Sequence, residues 1–535
     1  GSSAPVAGNA NAKSHISYHY AEGRMQALGR GMLGFKTLRT VDEQSGVETT
    51  TSYRQDWPFI GSAHTTEVRS AAGNLLSEST NTWKLQGWDS TWSTTVASSG
   101  TAALGPLQPY VQEAVAKTFT LSENGGKQGG LQKNVRTQTV IDDAGNVTRV
   151  DVDTFAGDVL GGDVLHHSQT TVNEYVGADS GYAKRMGRLS KSAVTTSVPG
   201  ASSQTRTSQT RTSQFTYYQD EDSNEHGLLK TEVIEPEGAS DEKLTTTHYY
   251  DAFGNKTHAT TTGWDGANTV TRSSAKVLYD AIGRYPIETY QTYPTVVDKL
   301  ISQINARNAY GSVTVLTDTR SVTALTDTLG KKAYSRYSPM GRKYFSSSDT
   351  GSWQKTWLTA SSVQCPSGTA YVAHASNADG SASQACHDRI GRPVRKLAKG
   401  FDGDWIATDS QFDAIGRVVR TSQPYQAGRR AAYWAEVTYD LLGRAVLATA
   451  PDGSTLSTVY DGLNVSKTNA KDQIKTEHYN VLGQVIQVTD SDSFSMYYQH
   501  DSQGNLTSVS DQPAFSRNNT SVMVYDALGR KTSMD

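Results

Sequence analysis

The chain has 535 residues with 50 Lys and Arg against 53 Asp and Glu, a formal net charge of −3, and its charged content of 19% lies below the ~25% of ordinary globular proteins. That near-neutral balance excludes a disordered polyelectrolyte and a nucleic-acid binder, and no window approaches the ~18 consecutive apolar residues of a membrane span. Hydrophobic residues reach only 36%, with 27 Tyr and 9 Trp against 11 Phe and with 47 Gly, a profile that suits strands separated by many turns.

In chain order, residues 1–18 read as a cloning scar and flexible leader, with 1–14 disordered; Gly1-Ser2-Ser3 has no initiator Met and no apolar signal region. Gly29-Arg30-Gly31-Met32-Leu33-Gly34 has the spacing of a dinucleotide-binding loop, but Phe35-Lys36-Thr37-Leu38-Arg39 alternates as a strand where that site needs a helix, so a turn-rich start of a strand is the better reading. Trp83, Trp88 and Trp92 suit either a sugar-stacking platform or packing anchors, and packing is favoured in a strand-rich region. Segments 96–130 and 196–212 are rich in small and polar residues. Within the first, Tyr110, Val111, Ala114, Val115 and Phe119 line one face of a short helix predicted over Pro109–Phe119. Asp151-Val152-Asp153 with Asp158 and Asp163, and Asp402-Gly403-Asp404, offer oxygen ligands for Ca²⁺ but lack the spacing of a known loop, and turn chemistry accounts for them. His15 with His19 and His166-His167 have no partner at metal-ligand spacing.

Ser70-Ala71-Ala72-Gly73-Asn74, Asp142-Asp143-Ala144-Gly145-Asn146 and Arg185-Met186-Gly187-Arg188-Leu189 are blurred copies of a unit that becomes regular near residue 240. The regular unit is an aromatic or His, then Asp, two residues, Gly, and Arg or Asn. It reads Tyr250-Asp251-Ala252-Phe253-Gly254-Asn255, Tyr279-Asp280-Ala281-Ile282-Gly283-Arg284 and, with Ser for Asp, Tyr337-Ser338-Pro339-Met340-Gly341-Arg342. It continues as His387-Asp388-Arg389-Ile390-Gly391-Arg392, Phe412-Asp413-Ala414-Ile415-Gly416-Arg417 and Tyr439-Asp440-Leu441-Leu442-Gly443-Arg444. Later copies start at Tyr460, Tyr479, His500 and Tyr525, the last with Asp526, Gly529 and Arg530.

Each position has a physical task. The short Asp carboxylate accepts backbone N–H groups and tightens a turn, and Gly supplies a positive φ without strain. The aromatic and the apolar residue before Gly flank the turn, where they can pack on one another. The following Arg pairs locally with the Asp of its own turn, and His387 and His500 are structural occupants of the aromatic position. Looser turns such as Pro451-Asp452-Gly453-Ser454 alternate with these. One repeat of about 21 residues is therefore one β-hairpin, and successive hairpins make a long antiparallel sheet whose twist coils it into a spiral. Cys365 and Cys386 stand 21 residues apart, one repeat length; they could meet across neighbouring hairpins, and a disulfide and free thiols are both open at this point.

These strings resemble the YD (RHS) repeat of bacterial polymorphic toxins and of teneurin adhesion proteins. In the first half, Gly29–Phe35 and Gly46-Val47-Glu48-Thr49-Thr50-Thr51-Ser52-Tyr53-Arg54-Gln55-Asp56-Trp57-Pro58-Phe59-Ile60-Gly61, together with Tyr249–Asn255, resemble the middle and C-terminal region of the B component of insecticidal toxin complexes. The resemblance covers about residues 19–535. It implies a cocoon of β-strands, formed by B and C components or one fused chain, that encloses a cytotoxic segment until delivery through a translocation channel. The family's propeller, its Asp-Pro-x-Gly cleavage motif and its variable toxin domain have no counterpart in these residues, so what is implied is a wall segment truncated at its C-terminal end.

The expected architecture is all-β: tandem antiparallel hairpins coiling into a spiral sheet that forms part of a hollow shell, with a degenerate region over 19–240 and the YD-repeat array over 241–535. The expected function is non-enzymatic encapsulation of toxin cargo by a secreted or cell-surface bacterial protein. Its partners are the cargo, the remaining shell-forming chain and a translocation channel component, without cofactor, metal or catalytic residue. The alternative is a teneurin-like surface module that binds glycan or protein.

Overall fold

The computed structural model describes residues 2–6, 9–27, 29–86, 108–121, 128–157, 163–176, 187–199, 208–218, 227–293, 296–318, 331–429, 431, 433–511 and 520–535. All regular elements among them are strands, and every pairing between those strands is antiparallel. Two long sheets carry the fold: one of 15 strands running from Ile16–Gln26 to Thr269–Ser273, and one of 23 strands running from Lys276–Tyr279 to Lys531–Met534. Within each sheet, strands lie in chain order, so each pairs with its neighbours in sequence; Trp405–Phe412 additionally pairs with Tyr425–Gln426. Both strand orders are linear and open, the arrangement a chain of consecutive hairpins produces. By internal contacts the chain divides into two compact units, one of residues 1–14, 214–438 and 448–454, the other of 15–213, 439–447 and 455–535.

Two local findings differ from the sequence reading. Pro109–Leu121 is a strand, not a helix, paired on one side with Leu75–Leu85 and on the other with Gln128–Ile141. The helical spacing of Tyr110, Val111, Ala114, Val115 and Phe119 is overridden because two flanking strands each offer a full backbone ladder, and β-branched and aromatic residues fit a pleated surface between them. The stretch read as disordered pairs as a short hairpin, Ser2–Val6 against Asn9–Ser14, through backbone hydrogen bonds that need no apolar pattern. The change from one sheet to the next falls between Ser273 and Lys276.

Little of the chain is buried. Among the described residues, a cluster of buried apolar side chains comprises Cys386, Val394, Leu397, Ala407 and Phe412, with Cys365, Trp405, Val418, Tyr425 and Ala427 packed around it. Cys365 and Cys386 are joined by a disulfide there. Beside it, Arg395 donates through Nε and Nη2 to both oxygens of Asp409 at 2.6 and 2.8 Å, and the Tyr425 hydroxyl donates to the same carboxylate at 2.8 Å. Burial first, and then that bond to a carboxylate, push the Tyr425 phenol up to about 12.

Candidate functional site

Among the described residues, the recurring turn gathers a carboxylate, its backbone donors and a pairing side chain in one place. At Tyr250–Asn255, Gly254 N–H donates to the Asp251 carbonyl and Asp251 N–H to the Asn255 carbonyl, both at 3.0 Å, with φ of 81° at Gly254. That is a hairpin turn closed by a left-handed glycine, and it shifts the pairing register between Tyr249 and Tyr250. The Asp251 carboxylate fills the turn: Oδ1 accepts N–H groups from Phe253 and Asn255 at 2.9 Å, and Oδ2 accepts Asn255 Nδ2 at 3.0 Å. Burial alone raises the Asp251 pKa, but these hydrogen bonds together outweigh it and hold the carboxyl below its ordinary value.

Where Arg replaces Asn the geometry is kept. Arg392, Arg417, Arg444 and Arg530 each donate Nε to Oδ2 of Asp388, Asp413, Asp440 and Asp526, at 2.7, 2.7, 2.7 and 2.6 Å. Gly391, Gly416, Gly443, Gly283 and Gly529 all take positive φ. The Asp388 side chain is fully buried. At Asp280 the Arg284 N–H donates to Oδ1 at 2.7 Å while its guanidinium lies over the Tyr285 ring at 4.8 Å. The blurred turn at Asp142 has the same construction, with Ala144 N–H and Asn146 N–H on Oδ1 and Asn146 Nδ2 on Oδ2.

The aromatic position behaves differently from simple packing against the residue before Gly. Hydroxyls of Tyr250, Tyr279 and Tyr525 reach back to the carbonyls of Leu229, Lys256 and Leu506, at 2.9, 3.4 and 3.0 Å. These carbonyls follow the preceding turn, so each Tyr ties one hairpin to the one before it. Phe253, Ile282, Ile415 and Leu442, the residues before Gly, stay exposed. His387 stacks on Tyr371 with ring centres 4.6 Å apart, and Phe412 lies in the core with the Arg392 guanidinium 4.7 Å above it. Tyr439 is half-buried.

Inside the unit formed by 15–213, 439–447 and 455–535, these turns also meet side chains from far earlier strands. Gln132 Nε2 donates to the Gly462 carbonyl at 2.9 Å, Thr196 Oγ1 to Ser502 Oγ at 3.2 Å, and Arg211 Nη2 to the Ala527 carbonyl at 2.8 Å. A His167 ring nitrogen lies 3.3 Å from the Ser502 carbonyl. Turn ends of late hairpins thus form a seam with the faces of early strands, a contact that no repeat string announces.

Other candidates resolve into structural roles. Gly29, Gly31 and Gly34 have positive φ and lead into the strand Gly31–Asp42. Trp83 donates Nε1 to the Ala63 carbonyl at 2.7 Å; Trp88 and Trp92 lie outside the described residues. Asp151 is bonded to Arg149 and Thr170, Asp153 to Arg136, and Asp402 Oδ1 to the Asp404 N–H; the side chains of Asp158 and Asp163 lie outside the described residues. Among the described residues, no three His, Cys, Asp or Glu side chains gather at a metal-binding distance, and no helix is long and apolar enough to cross a membrane.

Taken together, the described strands form chain-ordered hairpins closed by Asp-centred, glycine-ended turns, the architecture that the resemblance to the RHS/YD repeat implies. The fold is that of toxin-complex chains: the crystal structure of TcdB2–TccC3 without its hypervariable C-terminal region matches 97% of this chain with a TM-score of 0.69 at 10% identity, and the Photorhabdus luminescens Tc holotoxin pore matches 97% with 0.61 at 10%. This chain spans 37% and 38% of those chains' lengths. No protein-family model matches the sequence, and no curated protein does.

Proposed function

We propose that this chain is a non-enzymatic wall segment of a shell that encloses a toxin cargo and shields it by steric exclusion until delivery. The observation that carries this reading is the toxin-complex fold, matched over 97% of the chain. In this reading the partners are the cargo, the rest of the shell-forming chain and a translocation channel component, and the protein acts outside the bacterial cell or at its surface.

Small-angle scattering and electron microscopy of the purified chain test this. A wall gives a radius of gyration above the about 24 Å of a filled chain of this length and a low-density interior. A compact particle near that value, with no void, overturns the proposal.

A further inference from the structure

The seam inside the unit formed by 15–213, 439–447 and 455–535 holds a cleft of about 290 Å³, at the small end of the ~300–1,000 Å³ of small-molecule sites. Three parts of the fold meet there. The strand Gln128–Ile141 supplies Gln132 and Lys133, the turn after Tyr439 supplies Arg444, and the later hairpins supply Tyr460, Tyr479 and Val481. The bond from Gln132 Nε2 to the Gly462 carbonyl at 2.9 Å holds the early strand against the late hairpin at this point.

The walls combine apolar surface with two cations. Both tyrosine hydroxyls are already engaged, Tyr460 donating to the Ala445 carbonyl at 3.3 Å and Tyr479 to Glu477 Oε2 at 2.9 Å, so the rings are what these residues bring to the cleft, beside the buried Val481. The Arg444 guanidinium lies over the Tyr460 ring at 4.1 Å and donates Nε to Asp440 at 2.7 Å, while its Nη groups have no hydrogen-bond partner among the described residues. Lys133 is half-buried, and the residues opposite it on the two flanking strands, Thr118 and Ala156, carry no charge. It has no ion-pair partner among the described residues, and none of the cleft's described walls is a carboxylate.

We infer that this cleft binds a small aromatic carboxylate, its ring packed on the Tyr460 and Tyr479 rings and its carboxylate on Lys133 and the Nη groups of Arg444. An aromatic ring gains offset and edge contacts against the tyrosines, and a carboxylate matches the guanidinium fork while a lysine adds a second charge-assisted bond. A neutral ligand of the same shape covers the two cations without pairing them, and a cationic one is repelled by them. An inorganic anion pairs with the cations but leaves the apolar wall unfilled. The inference is independent of the shell: a hollow particle that binds no aromatic carboxylate, or the converse, separates the two.

The test is calorimetric titration of the full chain with naphthoate, with naphthamide and inorganic phosphate as comparison probes. Expected are saturable binding of naphthoate, binding of naphthamide and of phosphate weaker by about tenfold or more, and an affinity loss of about tenfold in Lys133→Met. Lys471→Met, at an exposed lysine outside the cleft, is expected to leave the affinity unchanged. Lys133→Gln supplies a second variant if Lys133→Met fails to fold, and thermal midpoints report folding throughout. No binding of naphthoate, equal affinity for naphthamide or phosphate, or unchanged affinity in the folded Lys133 variants overturns the inference.

Discussion

The two sheets solve one problem differently. In the first, strands are long, such as the 14 residues of Gln128–Ile141 and the 13 of Pro109–Leu121, and hydroxyl pairs knit them together: Thr51 with Thr66, Ser52 with Thr65, Thr195 with Thr210, Thr246 with Thr261. In the second, many strands shorten to five or six residues, as in Ala445–Thr449 and Ile474–Tyr479, and the order moves into turns wired by one side-chain oxygen, an Asp carboxylate at Asp388, Asp413 and Asp440 and an Asn amide at Asn308 and Asn480. A ladder of weak side-chain pairs tolerates variable strand length because any register on the same face supplies another hydroxyl. An Asp-centred turn fixes register at one point, so its spacing fixes the strand.

The largest expected break in that contrast lies at the core. Leu397 is 2% exposed beside the disulfide, so Leu397→Ala is expected to cost about 3 kcal/mol, read as loss of amide protection over 382–412 by native-state hydrogen exchange. Thr51→Val, in the first sheet, is expected to cost less than about 1 kcal/mol; equal losses would erase the distinction. Next, Asp388→Ala removes a fully buried carboxylate and strands Arg392, for an expected loss of about 3 kcal/mol, whereas Asp142→Ala, which leaves only neutral N–H donors unpaired, is expected to cost about 1 kcal/mol. The comparison of chemical-denaturation midpoints decides it.

A smaller effect has the opposite sign. Ser493 occupies at φ 65° the position that Gly453 fills in the equivalent turn, so Ser493→Gly is expected to stabilise by about 1 kcal/mol and Gly453→Ala to destabilise by a similar amount; an unchanged melting temperature in both would remove the turn-based account of register. The shallowest effect is acid sensitivity at two histidines, His166 and His500. Burial, then repulsion from His167, lowers the His166 pKa, and burial lowers that of His500 despite the Asp501 carboxylate. Both are depressed relative to the unfolded ~6.5, so their contribution is complete above that value and declines as pH falls through it toward the folded pKa. Protection of 163–175 and 495–510 is expected to decrease between pH 7.5 and 5.5 after correction for intrinsic exchange, and a pH-independent protection would exclude this reading.

The hairpin architecture was legible because Tyr-Asp-x-x-Gly-Arg encodes its turn locally: carboxylate, left-handed glycine and pairing cation fall within six residues. The strand at Pro109–Leu121 was not, since its state depends on partners at 75–85 and 128–141. The tyrosines were read as flanking the turn, but their hydroxyl targets lie about 20 residues upstream, and no residue pattern at Tyr250 names Leu229.

Chain-ordered pairing also dictates how such a molecule can form. Closing each new hairpin requires only a short turn, so strands can add in the order of synthesis without waiting for distant partners, which keeps most contacts local and fast to acquire. The seam contacts are the exception, such as the bonds of Gln132 to Gly462 and Arg211 to Ala527, which join residues 330 and 316 positions apart. The seam therefore belongs to the last event of folding, and slow, late protection confined to it is the kinetic mark this topology leaves.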